Sequence, residues 1–245
     1  MTQAPKQEQK LLETGQIGFF HKPSYPEGIA SLSRHLMAIE GELSPPVVIV
    51  LPEISDGENI CKPTKEDLRE NSRHHRYLRS VAKRFQIYTL AGVWHQDHHK
   101  KLLNSAYLYH PEGHSKRIQQ KHKVPGSQGL RNPTYLKPYP ITVGCLICLD
   151  CQKPAIQTAV LGSKPLILGI PAASGTMSLI DSDANPKQIA GKWLKGRWCV
   201  FANSRSKPSW ISDPCGKVVA FRTEGTPEEV VLWDVERREA IESRR

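Results

Sequence analysis

PITVGCLICLDC, residues 140–151, sets three cysteines at C-x2-C-x2-C spacing inside an apolar run. A metal cradle would need a backbone that loops so the thiolates converge. Iron–sulfur runs of this kind usually continue with a further cysteine, but Gln152-Lys153-Pro154 follows. Val143, Leu146, Ile147 and Leu149 favour an extended strand instead, and side chains along a strand alternate faces. Cys145 and Cys148 lie an odd number of positions apart, so in a strand they share neither a metal nor a disulfide. The stretch predicts a central strand over 140–150, no metal, and one cysteine of interest. Cys148 is that cysteine, because it falls near the strand's C-terminal end, where open α/β sheets gather their ligands.

Working outward, PPVVIVLPE (45–53) reads as a buried parallel strand that ends on Glu53. Residues 64–84 suit a helix with Thr64 and Asp67 as start signals. QIYTLAGVW (86–94) reads as a strand, and SAYLYHPEGH (105–114) as a strand entering a turn at Pro111-Glu112-Gly113. A helix is predicted from Lys153 to Leu161, closed by Gly162, and a strand over PLILGIP (165–171). Strands alternate with helices in several places, and elsewhere strands neighbour one another across a turn. The pattern favours a layered α/β fold.

The chain has 245 residues, 38% hydrophobic and 24% charged, without a linker-like composition break. Residues 1–14 are expected to form a disordered tail and 15–245 one domain. MTQAPKQEQK is polar and has no apolar run behind it, which speaks against a secretory signal. No stretch reaches the roughly 18–20 apolar residues of a membrane span. A cytoplasmic protein with reduced thiols is the expectation. The net charge of +10 attracts anions. The basic residues are scattered and carry no zinc-finger, RRM-type or basic-zipper signature, so nucleic acid is not the favoured partner.

Several segments together resemble the nitrilase superfamily of carbon–nitrogen hydrolases. VVIVLPE resembles that family's strand ending in Pro-Glu, and NSAYLYHPEGHSKRIQQKHKVP (104–125) its Asn-Ser-Ala strand, Pro-x-Gly turn and lysine segment. GCLICLD (144–150) has the form G-x-x-I-C-x-D, and SKPLILGIPAA (163–173) is similar to the next strand. WCVFANSRS and ISDPCGKVVA (198–220) resemble the late Ala-Asn strand and its Asp-Pro-x-Gly hairpin. The resemblance implies a four-layer α-β-β-α sandwich, a homodimer or larger assembly, and no cofactor. It also implies a Glu-Lys-Cys triad at Glu53, Lys121 and Cys148, with Lys121 preferred to Lys123 on the phrasing of KHKVP. Cys148 would be the nucleophile, Glu53 the proton carrier, and Lys121 with the Leu149 backbone N–H the oxyanion donors. The substrate would be an amide or carbamoyl compound, less commonly a nitrile.

The sequence also departs from the family. VPGSQGLRNPTYLKP (124–138) contains no acid where many members carry a second glutamate, and Gln128 is the nearest polar stand-in. A catalytically inactive binding or scaffolding protein is therefore the alternative. Asp150 is a supporting candidate, with a cap on the following turn or helix as its expected role. His74-His75 and His95, His98 and His99 have metal-like spacing but are expected to be solvated. Trp193, Trp198 and Trp210 are expected to pack rather than line a pocket mouth.

Overall fold

The structure is a computed structural model that describes residues 14–21, 31–53, 72–96, 100, 102–120, 134–173, 180–181, 188–189, 194–204, 208–223 and 226–243. In chain order the elements are β1 (Gln16–His21), α1 (Leu32–Ala38), β2 (Val47–Glu53), α2 (Arg73–Phe85), β3 (Tyr88–Gln96), β4 (Leu102–Tyr109) and β5 (Ser115–Gln120). There follow β6 (Thr134–Leu136), β7 (Ile141–Cys145), α3 (Pro154–Gly162), β8 (Ile167–Ala172), β9 (Ile180–Asp181) and β10 (Gln188–Ile189). The chain continues with β11 (Trp198–Asn203), β12 (Ser209–Ser212), β13 (Val218–Arg222), β14 (Glu229–Asp234) and β15 (Glu239–Glu242).

Two mixed sheets face each other. The first runs β15-β14-β1-β2-β3-β4-β5 and the second β13-β12-β11-β8-β7-β6, with β9 and β10 as a separate pair. The period-2 alternation of strand side chains assigns the faces. Along β2, Val47, Ile49 and Leu51 pack with Leu32 and Leu36 of α1 and Leu78, Val81 and Phe85 of α2. Val48 and Val50 point the other way and join a core that contains Val143, Ile167, Ile170, Val200 and Trp210 of the second sheet. Ile156 and Val160 of α3 supply the outer cover of that second sheet, where Val160 lies against Gly144. The result is the expected α-β-β-α sandwich. The sheets meet closely at Gly169 of β8. A Cβ there would intrude on Leu90 Cδ2 and sit 3.1 Å from Val50 Cγ2, so the position takes no side chain.

Several boundaries differ from the sequence reading. Helix α2 begins at Arg73, with the Ser72 hydroxyl accepting from the His75 backbone N–H at 3.3 Å; Thr64 and Asp67 lie outside the described residues. Strand β4 starts and ends earlier than 105–114, and β5 follows the Pro111-Glu112-Gly113 turn as its hairpin partner. Strand β7 stops at Cys145 instead of reaching 150. It cannot extend through Cys148, whose left-handed φ of 48° opens a 3-10 turn over Cys148–Gln152. Gly162 lies inside the last turn of α3, and the chain reverses at Lys164, with φ 50°. Residues 1–13 of the expected tail fall outside the described residues. Among the described residues, no helix is long and apolar enough to cross a membrane.

Candidate active site

Glu53 should by simple alternation face the helices with Val47, Ile49 and Leu51. It does not, because β2 bulges between Val50 and Glu53. Val50 is level with Leu90 of β3 and Glu53 with Gly92, so three steps on β2 match two on β3. An added residue of this kind reverses the face that the rest of the strand presents. Pro52, which has no N–H to give a ladder, sits inside the irregularity. Glu53 is thereby turned inward, on the face of Leu90, and is only 2% exposed.

A buried carboxylate needs donors. The Asn104 side-chain amide donates to Glu53 Oε1 at 2.6 Å. Asn104 occupies β4 two positions before Ala106 and four before Leu108, both in the inter-sheet core, so it shares their inward face. It is level with Trp94 of β3, another buried side chain on this face. In the sequence Asn104 stands out only as part of a motif, with no role of its own. A polar residue in phase with two inward apolar ones was the available signal.

The cysteines come from the opposite sheet. Cys145, at the end of β7, is level with Gly169, and so points at the Val50–Leu90 surface of the first sheet. Burial pushes its thiol well above the ordinary range, and the nearby Cys151, Asp150 and Glu53 push it further. Glu53 therefore lies close enough for its charge to bear on the end of β7. Burial, then Cys148 and Asp150, also raise Cys151, and burial takes Cys199 up to about 12. These three remain protonated thiols at neutral pH. Cys148 is 4% exposed and holds its left-handed conformation at the first position of the 3-10 turn. The left-handed region costs an L-residue roughly 1–2 kcal/mol, the kind of strain that collects at functional sites.

The parity argument that separated Cys145 from Cys148 does not apply, because the strand ends before Cys148. Among the described residues, no cysteine enters a grouping of side chains able to share a metal, and the five described cysteines form no disulfide. Asp150 is fully buried, and its carboxylate lies 3.8 Å from the Lys153 ammonium. The N-cap position of α3 is Lys153, whose own side chain makes no cap bond. Leu149 lies within the 3-10 turn, where its backbone follows Cys148. Lys121, Lys123 and Gln128 lie outside the described residues, as do His98, His99 and Trp193.

His75 is buried rather than solvated, with Nδ1 2.8 Å from the Tyr109 hydroxyl and its ring edge-on to Tyr107. Trp198 and Trp210 are core residues, the latter stacked on Phe201. A cavity of about 540 Å³ lies between β13 and β14, lined by Phe221, Arg222 and Glu229 among others, and takes in none of the candidate residues.

Comparison with known proteins adds independent findings. A family profile described as carbon-nitrogen hydrolase matches residues 26–176. The chain is similar in structure to a carbon-nitrogen hydrolase from Helicobacter pylori, with TM-score 0.65 and 14% identity over 92% of this chain and 91% of that one. It is similar to a Saccharomyces cerevisiae protein of branch 10 of the nitrilase superfamily, with TM-score 0.64 and 18% identity over 91% and 90% of the two chains. An amidase from Nesterenkonia sp. gives TM-score 0.66 and 15% identity over 90% of each. No curated protein matches.

Proposed function

The chain belongs to the carbon–nitrogen hydrolase family, and from that premise we propose that it is a cysteine-dependent hydrolase of a non-peptide carbon–nitrogen bond. An amide or carbamoyl compound is the substrate class, ahead of a nitrile. The observation that carries this reading is the inward, Asn104-bonded Glu53 on the sheet that faces the Cys145–Cys148 segment.

In this mechanism the Cys148 sulfur attacks the carbonyl carbon while its proton passes to Glu53. Glu53 then delivers that proton to the departing nitrogen, the carbon–nitrogen bond breaks, and a thioester remains on Cys148. Water attacks the thioester, Glu53 takes its proton, and the carbon–sulfur bond breaks to release the acid. The sulfur leaves as thiolate and recovers the proton from Glu53. Lys121 and the Leu149 backbone N–H hold the oxyanion of each tetrahedral intermediate. One such donor is worth about 3–4 kcal/mol, so Lys121→Ala should slow turnover by roughly two to three orders of magnitude.

The test is covalent trapping together with turnover on a panel of small amides. In mutants of the Nesterenkonia amidase, the acetamide moiety of fluoroacetamide adds covalently at the active-site cysteine. In a Glu53→Gln variant the same reagent should alkylate the Cys148 sulfur, with fluoride leaving and the thiol proton passing to solvent, and Cys148→Ala should neither label nor turn over. A Cys148→Ala protein with wild-type activity ends the proposal. The absence of an acid in 124–138 favours a second reading, an inactive binding protein. Under that reading neither labelling nor hydrolysis occurs while the fold stays intact.

A further inference from the structure

The turn between β4 and β5, YHPEGHS at 109–115, brings together side chains the proposed reaction does not use. The Gly113 backbone N–H donates to the His110 carbonyl at 2.8 Å, and the His110 N–H to the His114 carbonyl at 2.9 Å. Gly113 takes φ 84°, which closes the turn. The closure sets His110, Glu112 and His114 side by side. One donor atom from each lies within 4.8 Å of the other two. The two imidazole rings stack with centroids 4.1 Å apart, and His114 Nδ1 is 3.8 Å from Glu112 Oε2.

His110 makes this more than a surface cluster. It is only 7% exposed, and its Nε2 has no hydrogen-bond partner among the described residues. A buried polar atom in that state costs stability unless something outside the described protein meets it. Glu112 and His114 are 57% and 60% exposed and free to adjust. A tetrahedral ion with bonds of about 2.0–2.1 Å wants its ligand atoms roughly 3.3 Å apart, closer than the 4.8 Å within which they lie here. The two exposed side chains can supply that movement. Lys116 acts against a cation at this place, and the Glu112 carboxylate offsets it.

We propose that His110, Glu112 and His114 form a binding site for a divalent transition-metal ion of the zinc type, with water completing the coordination. Two imidazoles and a carboxylate suit a borderline cation rather than calcium or magnesium. The site is separate from the candidate active site. Ala106, level with Gly92 and hence with Glu53, is four residues before His110, about 13 Å along β4 at ~3.3 Å per residue. Its consequence is structural. His110 packs edge-on against Tyr88, whose hydroxyl donates to the Lys137 carbonyl at 2.5 Å. An ion would pin the turn itself, and with it the His110 ring that packs on Tyr88.

The test uses the full chain, stripped of metal and lacking any affinity tag, titrated with zinc by calorimetry. One ion should bind at neutral pH. Glu112→Gln and His114→Ala, both at exposed positions, should each weaken binding at least about 10-fold, the smaller loss seen even for outer-shell partners. Zinc should raise the melting temperature of the wild type and not of the double variant. Cobalt as a visible probe should give no thiolate charge-transfer band. Absence of stoichiometric zinc binding, equal affinity in both variants, or a thiolate band from cysteine ligation would each overturn the proposal.

Discussion

Glu53 is a carboxylate nearly shut off from water, and the Asn104 amide is one of the groups that makes its charge tolerable there. A hydrogen bond to a charged group is worth about 1.5–3 kcal/mol. Asn104→Ala should therefore lower kcat on the best amide by roughly 10- to 100-fold while KM changes little, since the bond serves the proton carrier. If KM rises and kcat holds, Asn104 contacts substrate instead of positioning Glu53. At this scale the sequence was informative about residue type at strand ends. Glu53 stands out because it ends its apolar strand, and Cys148 because it falls near the C-terminal end of the next central one. The partner of Glu53 was not legible, because simple alternation sends Glu53 toward the helices. Only the bulge at Pro52 brings it round to Asn104, and a bulge is settled by pairing with β3, not by β2 alone.

The elements show the same division between local pattern and tertiary contact. Strands β2 and β8 and helix α3 were readable from apolar runs and turn residues. The end of β7 was not, since LICLD continues an apolar pattern that extended and 3-10 backbone satisfy equally well. The four-layer arrangement itself came from family resemblance; strand order alone does not specify which sheet a strand joins. Gly169 gives the sheet-to-sheet contact a direct test. A methyl at this position has no room between Leu90 and Val50. Gly169→Ala should cost about 1–3 kcal/mol as an overpacked core. The loss should appear as a lower denaturation midpoint at constant m-value. Because Gly169 is level with Cys145, turnover should fall as well. Unchanged stability would mean the two sheets are not held at this spacing.

Across the whole molecule, polar ties reinforce the apolar contact between sheets. Arg222 of β13 pairs with Glu229 of β14 and Glu242 of β15. His21 of β1 is fully buried, with Nδ1 3.2 Å from the Ser209 hydroxyl of β12. Burial above all, then the Arg222 charge, lowers the His21 pKa from 6.5 to about 4; Glu228 and the Thr223 backbone oppose this more weakly. The folded protein thus keeps His21 neutral where the unfolded chain would protonate it. Its contribution is fully present above pH 6.5 and is lost as pH falls toward 4. At pH 4.5 the loss is about 2–3 kcal/mol, since each pH unit below 6.5 removes about 1.4 kcal/mol. His21→Gln retains a side chain able to meet Ser209 but cannot titrate. Urea unfolding at pH 7 and pH 4.5 should therefore show the wild type losing about 2–3 kcal/mol more than the variant. Equal losses in the two proteins would place the acid sensitivity of the sandwich elsewhere. A variant already weakened by that amount at pH 7 would mean that the histidine's packing, rather than its proton, ties the sheets together.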